Sequence, residues 1–315
     1  MTNSENQPHF YGGQAVMEGV MMRGKYSYAM AVRKPNGEIA VVTHPIKVSD
    51  KTWVKLPVIR GIVAFGSSLK IGMKTLTESA EIATEGEVEE PSRFERFLLD
   101  KFGNRVNDVL VQLSVVLAVA IAVLLFILLP LWVGGWLSFL VADNPSLLGV
   151  VEGIARLLIF LTYVAVISRS KDIHRVFQYH GAEHMTINGY EQGADLAVEK
   201  IKTCSRLHNR CGTSFLLVVM FISIIVFAFV RTPDPWLRLG SRLVLIPVIA
   251  GISYEVIRWA GRSKGIWVKI VSFPGLCLQR LTTKEPDGSQ IEIAIRALQT
   301  VLDKEAEEND IQSSI

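Results

Sequence analysis

The sequence predicts an α-helical multi-pass membrane protein with about four transmembrane helices and a mixed α/β cytoplasmic domain. Half of the 315 residues are hydrophobic and only 20% are charged, which is too apolar for an ordinary cytosolic enzyme. Four apolar stretches approach the length of about 20 residues with which a helix crosses the hydrocarbon. Polar segments lie before, between and after these stretches, so we expect soluble parts as well.

The clearest candidate span is 109–132, which carries no charge and ends at a tryptophan, where an interfacial ring belongs. A soluble core helix that is apolar on every face over this length would be unusual. Three further candidates follow, at 150–168, 215–230 and 243–259.

The distribution of Lys and Arg predicts the orientation of these spans. The segment 131–149 contains neither residue, whereas the loop 169–214 is rich in both. The positive-inside rule therefore places both termini and the 169–214 loop in the cytoplasm, with the spans in the cell (inner) membrane. The three arginines of 231–242 fit this rule less well. The opening "MTNSENQPHF" lacks a secretory pattern, so we expect the N-terminus to be retained.

The spans divide the chain into five predicted segments. Residues 1–105 form a cytoplasmic α/β segment with a hairpin and an amphipathic helix, and 106–168 hold transmembrane helices 1 and 2. Residues 169–214 form a cytoplasmic His/Cys loop, 215–260 hold transmembrane helices 3 and 4, and 261–315 form a cytoplasmic amphipathic tail. We expect the three cytoplasmic segments to assemble into one domain.

Local patterns justify the soluble elements. Asn36-Gly37 lies between alternating apolar and polar residues, which is a strong hairpin signal. The segment 58–83 has apolar residues at helical spacing and predicts an amphipathic helix, packed on the hairpin or lying on the membrane surface. The segment 93–108 is expected to approach the first span along the interface. In the tail, Asp287 or Ser289 is the expected N-cap of a last amphipathic helix.

The stretch "YHGAEH", residues 179–184, places His180 and His184 four positions apart. If this segment is helical, both imidazoles lie on one face and can reach one ion. Glu183 lies beside them, and His-x-x-Glu-His is the inverted order of a zinc-protease motif. In such sites the histidines bind zinc and the glutamate activates the metal-bound water. The pattern therefore predicts His180 and His184 as zinc ligands and Glu183 as the catalytic residue.

A second cluster, "CSRLHNRCGTSF", places His208 and Cys211 at a spacing that suits two metal ligands in a tight turn. Both are predicted ligands, so that a helix and a turn complete one tetrahedral site. An open fourth position would permit catalysis, whereas four filled positions would mean a structural ion. The alternative is that these histidines only bond to backbone or lipid headgroups. Cys277 is expected to be a small buried apolar residue.

Several charged residues outside the motif have two interpretations. Glu152 and Arg156 lie four positions apart in the second span, where charges are costly and by default indicate function. The simpler interpretation is a structural ion pair. Glu255 either reaches the metal cluster as another carboxylate ligand or pairs with Arg258 or interfacial groups. Glu18, in "YGGQAVMEGVMMRG", is either a further ligand or base brought near by closely packed glycines, or part of an ordinary strand with turn glycines.

Taken together, "GGQAVMEGVMMRG", "RVFQYHGAEHMTINGYE", "HNRCGTSF", "GISYE" and "PGLCLQRLTTKEPDGSQIEIAI" resemble the YqhQ-like family. This is a bacterial family of unknown function whose members are labelled predicted metal-dependent enzymes. The resemblance runs from about residue 11 to 302 and implies an integral, multi-span inner-membrane protein.

The leading functional hypothesis is a membrane-embedded, zinc-dependent hydrolase whose site faces the cytoplasm at the membrane surface. Its expected partners are the lipid bilayer and a lipid or membrane-protein substrate. The small net charge of +3 indicates no nucleic-acid partner. The oligomeric state is open. A non-catalytic scaffold or assembly factor, with a structural metal or none, is the alternative, and a transporter using Glu152 and Arg156 is the weakest hypothesis.

Overall fold

A computed structural model describes residues 11–46, 51–86, 106–137, 139, 145–230, 234–263 and 265–313. Residues 93–105 of the predicted interfacial approach (93–108) lie outside the described part of the chain. The chain divides into two compact units. The first comprises Met1–Glu85, Val164–Val219 and Pro247–Ile315, and the second comprises Gly86–Tyr163 and Met220–Ile246.

The first unit contains an antiparallel sheet of four strands in the order β1-β2-β3-β4. The strands are β1 (Gly12–Val16), β2 (Gly19–Arg23), β3 (Ser27–Arg33) and β4 (Ile39–Pro45). The predicted hairpin is confirmed, because Asn36-Gly37 joins β3 to β4. Gly37 has φ +88° and donates its N–H to the Lys34 carbonyl at 2.9 Å, a conformation that favours glycine.

Most of the chain is helical. A short 3₁₀ helix at Thr52–Lys55 precedes the longer helices, which are α1 (Ile59–Ala83), α2 (Val106–Val123), α3 (Leu129–Trp136), α4 (Pro145–Ile167), α5 (Lys171–Glu191), α6 (Val198–Ile201), α7 (Gly212–Phe229), α8 (Pro235–Arg262), α9 (Ile266–Thr282) and α10 (Gly288–Ser313). A π-helical turn at Leu124–Leu128 joins α2 to α3 without a break. The tail therefore holds two helices, and α9 is one that the sequence reasoning missed.

The sheet has a buried layer on each face, as the period of two along a strand requires. On one face Val20 and Met22 of β2 pack with apolar residues of α5 and α10. On the other face Met21 joins a smaller cluster against α1. The last helix is capped as predicted, since the Asp287 carboxylate accepts the Gln290 N–H at 2.9 Å.

Four helices are long and apolar enough to cross a membrane, within the described part of the chain. They are Val109–Trp136, Leu147–Ile167, Gly212–Phe229 and Leu239–Gly261. Each predicted span therefore corresponds to a helix, with ends displaced by a few residues. Helix ends are the least certain part of such predictions, because the flanking polar residues also adopt helical conformations.

The charged residues in the second unit are arranged differently from the local pair that the sequence suggested. Glu152 forms an ion pair with Arg242, and both side chains are buried. Arg156 instead donates through Nε to the Phe126 carbonyl at 2.8 Å and through Nη1 to the Ser223 hydroxyl at 3.3 Å. Tertiary packing therefore provides Glu152 with a partner from another helix, Arg242, which the sequence pattern did not identify.

Two further expectations about single residues are corrected. Glu255 pairs with Arg60 of α1 and accepts the Val58 N–H, and it is not part of the group that could hold a metal ion among the described residues. Cys277 is exposed rather than buried. It lies on the outer face of α9, where the sequence predicted no separate helix.

Candidate metal centre

Helix α5 places both histidines of the motif on one face, as its period of 3.6 residues requires. The ring centroids of His180 and His184 are 4.4 Å apart. The segment from Tyr179 to Gly189 is largely buried between the sheet and the loop that precedes α7. Gly181 allows a close approach here, since a Cβ at this position would lie 2.1 Å from the Lys284 carbonyl oxygen. Polar side chains in this packed region need partners.

Both imidazoles are oriented through Nδ1. His180 Nδ1 lies 2.8 Å from the Thr282 carbonyl, and His184 Nδ1 lies 2.7 Å from the Arg206 carbonyl. Because a carbonyl oxygen only accepts hydrogen bonds, each Nδ1 carries a proton, and in the neutral ring the lone pair is then on Nε2. Burial lowers the pKa of His184, which favours the neutral form of that ring. Metal-binding histidines use the same arrangement, with one ring nitrogen held by the backbone and the other directed at the ion.

Cys211 completes a group of three. Its Sγ lies 3.2 Å from His180 Nε2. The Thr213 N–H donates to the same sulfur at 3.4 Å, and the Thr213 hydroxyl lies 3.2 Å away. One ligand atom each from His180, His184 and Cys211 lie within 4.8 Å of one another. Two imidazole nitrogens and a thiol that converge in this way could hold a metal ion.

Glu183 is buried beside this group, with its Oε2 3.9 Å from His180 Nε2. Burial raises the pKa of its carboxyl group, and the opposing influences are His180, His208 and the backbone N–H of Gly13. Gly13 lies in β1, and a Cβ there would come within 2.7 Å of Glu183 Cγ and 2.8 Å of the Met21 carbonyl oxygen. The glycine-rich N-terminal strand therefore lies directly against the motif glutamate.

This contact predicts that Gly13→Ala disturbs the centre. The new methyl group clashes with backbone as well as with Glu183, and overpacking of this kind costs about 1–3 kcal/mol. We expect a lower free energy of unfolding and weaker metal binding, measured by thermal unfolding in detergent and by metal titration. Gly12→Ala is the matched control, because nothing lies within 4 Å of a Cβ at the neighbouring position. Equal behaviour of the two variants would contradict the proposed contact.

His208, the other predicted ligand, lies beside the group of three rather than within it. Its ring centroid is 5.7 Å from that of His184, and its Nε2 lies 3.6 Å from a carboxylate oxygen of Glu191. Glu191 also pairs with Arg210. The His208 backbone is held by the buried Gln279 side chain, which accepts its N–H at 2.8 Å and donates to its carbonyl at 2.7 Å.

Several residues around the centre were not found from the sequence. Thr282 acts through its carbonyl oxygen, which any residue type supplies, so no side-chain signal marks it. Gln279 is fully buried and also donates to Ser214 at 2.9 Å; its position in a segment with no predicted helix concealed it. Glu18 does not join the group, because its carboxylate pairs with Arg175.

Comparisons with known proteins identify the family of this chain. A family profile described as "Protein of unknown function (DUF1385)" matches residues 56–304. The chain is 37% identical over 304 residues to the "Uncharacterized protein YqhQ" of Bacillus subtilis (strain 168), covering 95% of this chain and 94% of that protein. No solved structure matches significantly. The match over most of its length places this chain in the DUF1385 family, with YqhQ as a relative.

Proposed function

We propose that this protein is a zinc-dependent hydrolase embedded in the cell inner membrane, with its site at the cytoplasmic membrane surface. One observation carries the proposal: a buried, acidic Glu183 side chain lies beside two histidines and a cysteine whose ligand atoms converge. A purely structural ion has no need for a buried carboxyl group next to its ligands, since burying such a group is costly.

The donor set favours zinc as the metal. Imidazole nitrogens and a thiolate are typical zinc ligands, and hard cations such as Mg²⁺ prefer oxygen ligands instead. Three protein ligands, His180, His184 and Cys211, leave one tetrahedral position for a substrate or water. A zinc ion bound there supplies Lewis acidity, which polarises a substrate oxygen and acidifies water.

The surrounding residues perform the proton transfers and the positioning. The Glu183 carboxylate is the proposed general base, which accepts a proton from the attacking water and returns it to the leaving group. The Gly13 N–H holds this carboxylate in place. The Thr282 and Arg206 carbonyls keep both imidazole rings oriented. His208, next to Glu191, is proposed as a positioning residue; as a fourth ligand it would fill the open position and make the ion structural.

The location follows from the position of Cys211 in the chain. This residue directly precedes the candidate span Gly212–Phe229, so insertion of that helix brings the centre to the membrane surface. The charge pattern supports a cytoplasmic location for the centre and both termini. The proposed substrate is therefore a lipid headgroup or a segment of a membrane protein that reaches this surface.

The test of this function compares wild type with Glu183→Gln, a change that keeps the shape of the side chain but removes its basicity. Both proteins are purified, assayed for zinc by elemental analysis and screened against ester, amide and phosphodiester substrates in vesicles. We expect equal zinc contents and a rate for Glu183→Gln that is lower by about 10²–10⁴-fold. An active protein whose rate is unchanged by Glu183→Gln would overturn the catalytic role.

The alternative is a scaffold in which the metal only ties the cytoplasmic segments together. The burial of His184 and Cys211 favours it, because structural sites are closed to solvent. In that case zinc is present, no substrate is turned over, and removal of zinc lowers the free energy of unfolding without loss of any activity. Purified wild type that contains no stoichiometric metal would exclude the hydrolase and the metal-tied scaffold, and would leave a scaffold without metal.

A further inference from the structure

Helix α1 has an inverted distribution of polar and apolar residues. Its buried residues are all small or polar, namely Gly61, Gly72, Thr75 and Ser79. Several of its large apolar side chains are exposed instead, namely Val63, Phe65, Leu69, Met73 and Leu76, whereas Ile71 and Ile82 are partly buried against the sheet. A helix at a protein–water boundary has the opposite distribution.

Helix α9 shows the same inversion. The buried residues of this fully described helix are Ser272, Gly275, Gln279 and Thr282, together with a single large apolar residue, Leu278. The exposed residues Ile266, Ile270, Phe273, Cys277 and Leu281 follow one another at intervals of three or four. That spacing aligns them in one stripe along the helix.

Helix α10 of the same unit is the internal comparison. Its apolar residues, among them Ile291, Ala294 and Leu298, are buried, and its charged residues, such as Glu292 and Arg296, are exposed. This is the pattern of a helix that faces water. The inversion in α1 and α9 is therefore a local property, and it indicates that their outer faces meet an apolar medium.

Both helices adjoin candidate spans, α9 along the chain and α1 by packing. Only residues 263–265 separate the last residue of α8 from the first of α9. Helix α1 packs closely on α8, where a Cβ at Gly61 would lie 2.8 Å from the Gly251 carbonyl oxygen. The rings of Phe65 and Phe215, the latter at the start of α7, have centroids 5.8 Å apart. Both helices thus lie where two candidate spans end.

We propose that α1 and α9 lie along the bilayer surface, with their apolar stripes among the lipid acyl chains. Exposed Lys70, Lys269 and Arg280 provide the cationic side chains that such interfacial helices direct towards anionic headgroups. The occupant of both stripes is lipid. The proposal rests on the membrane insertion proposed above and is independent of the chemistry of the metal centre.

The inner face of α9 connects this surface to the centre. Gln279 holds the His208 backbone, and the Thr282 carbonyl anchors His180. The same helix therefore contacts lipid on one side and positions two residues of the centre on the other. This arrangement holds the centre at headgroup depth, which favours an amphiphilic lipid as the substrate class.

The test attaches an environment-sensitive fluorophore to single introduced cysteines in vesicle-reconstituted protein, with Cys204 and Cys277 replaced by serine. The labelled positions are Leu69→Cys on α1 and Phe273→Cys on α9. Glu292→Cys is the aqueous control, because the Glu292 side chain is 59% exposed on the water-facing side of α10. Val244→Cys is the membrane reference, because Val244 lies in a candidate span and is 73% exposed at the surface of the protein.

We expect brominated lipids to quench the labels at 69, 273 and 244 several-fold more than the label at 292. Iodide present on both sides of the vesicle should quench only the label at 292. If the labels at 69 and 273 respond like the one at 292 while 244 is quenched by lipid, the inference is wrong and membrane insertion stands. If brominated lipid also fails to quench the label at 244, the proposed membrane location itself is wrong.

Discussion

Replacement of His184 by alanine should abolish metal binding by the purified protein. His184 is almost completely buried, its Nδ1 is held by the Arg206 carbonyl, and its Nε2 belongs to the converging group of three. Loss of one of three protein ligands leaves a site with too few donors for tight binding. We expect the metal content to fall from about one ion per chain to a small fraction of that value. His180→Ala and Cys211→Ala should behave alike.

The chain offers a matched control on the same helix. His174 is exposed and lies outside the group, so His174→Ala should retain the wild-type metal content. Elemental analysis of all four variants, each purified in detergent without chelator, decides the matter. Metal retained in His184→Ala, or lost equally in His174→Ala, would contradict the proposed centre. His208→Ala then separates a fourth ligand, whose loss weakens binding, from a residue that only positions the loop.

Glu152→Gln should be the most destabilising single substitution in the second unit. Its carboxylate pairs with Arg242 in a buried site, and Arg242 Nη1 has no hydrogen-bond partner among the described residues. Removal of one partner leaves a buried guanidinium without its counter-ion, which typically costs about 3–5 kcal/mol. We expect a large loss in the free energy of unfolding, measured by denaturant titration in detergent micelles.

A double-mutant cycle distinguishes loss of the pair from a general effect of the substitution. Arg242→Gln combined with Glu152→Gln removes both charges, so the double variant should be more stable than Glu152→Gln alone. Glu307→Gln is the surface control, since Glu307 and Lys304 form an exposed pair whose loss costs less than about 1 kcal/mol. Additive effects of the two buried substitutions would show that the ion pair contributes nothing.

Much of the fold could be predicted because it depends on local composition. The four candidate spans are apolar over their whole length, and the Asn36-Gly37 hairpin and the Asp287 cap depend on a few adjacent residues. The partner of Glu152 could not be predicted in this way. Arg242 is 90 positions away in sequence, and only packing of different helices brings it close. Helix α9 was missed because Pro274 lies inside it and Lys269 and Arg280 interrupt its apolar residues.

The centre was predictable only where its residues are close in sequence. His180, Glu183 and His184 lie within one turn and a half of α5, so helical periodicity alone aligns them. Cys211 was identified from its residue type, and the structure brings it to the same group. The Gly13 contact to Glu183 depends on how the sheet packs against α5, which periodicity does not specify.

The anchoring of His180 by the Thr282 carbonyl, across 102 positions of sequence, has a consequence for biosynthesis. A ribosome must complete two more hydrophobic helices after His180 before that carbonyl leaves the exit tunnel. Until then the imidazole lacks the acceptor that selects its tautomer. The full set of contacts around His180 can thus form only after α9 has been synthesised.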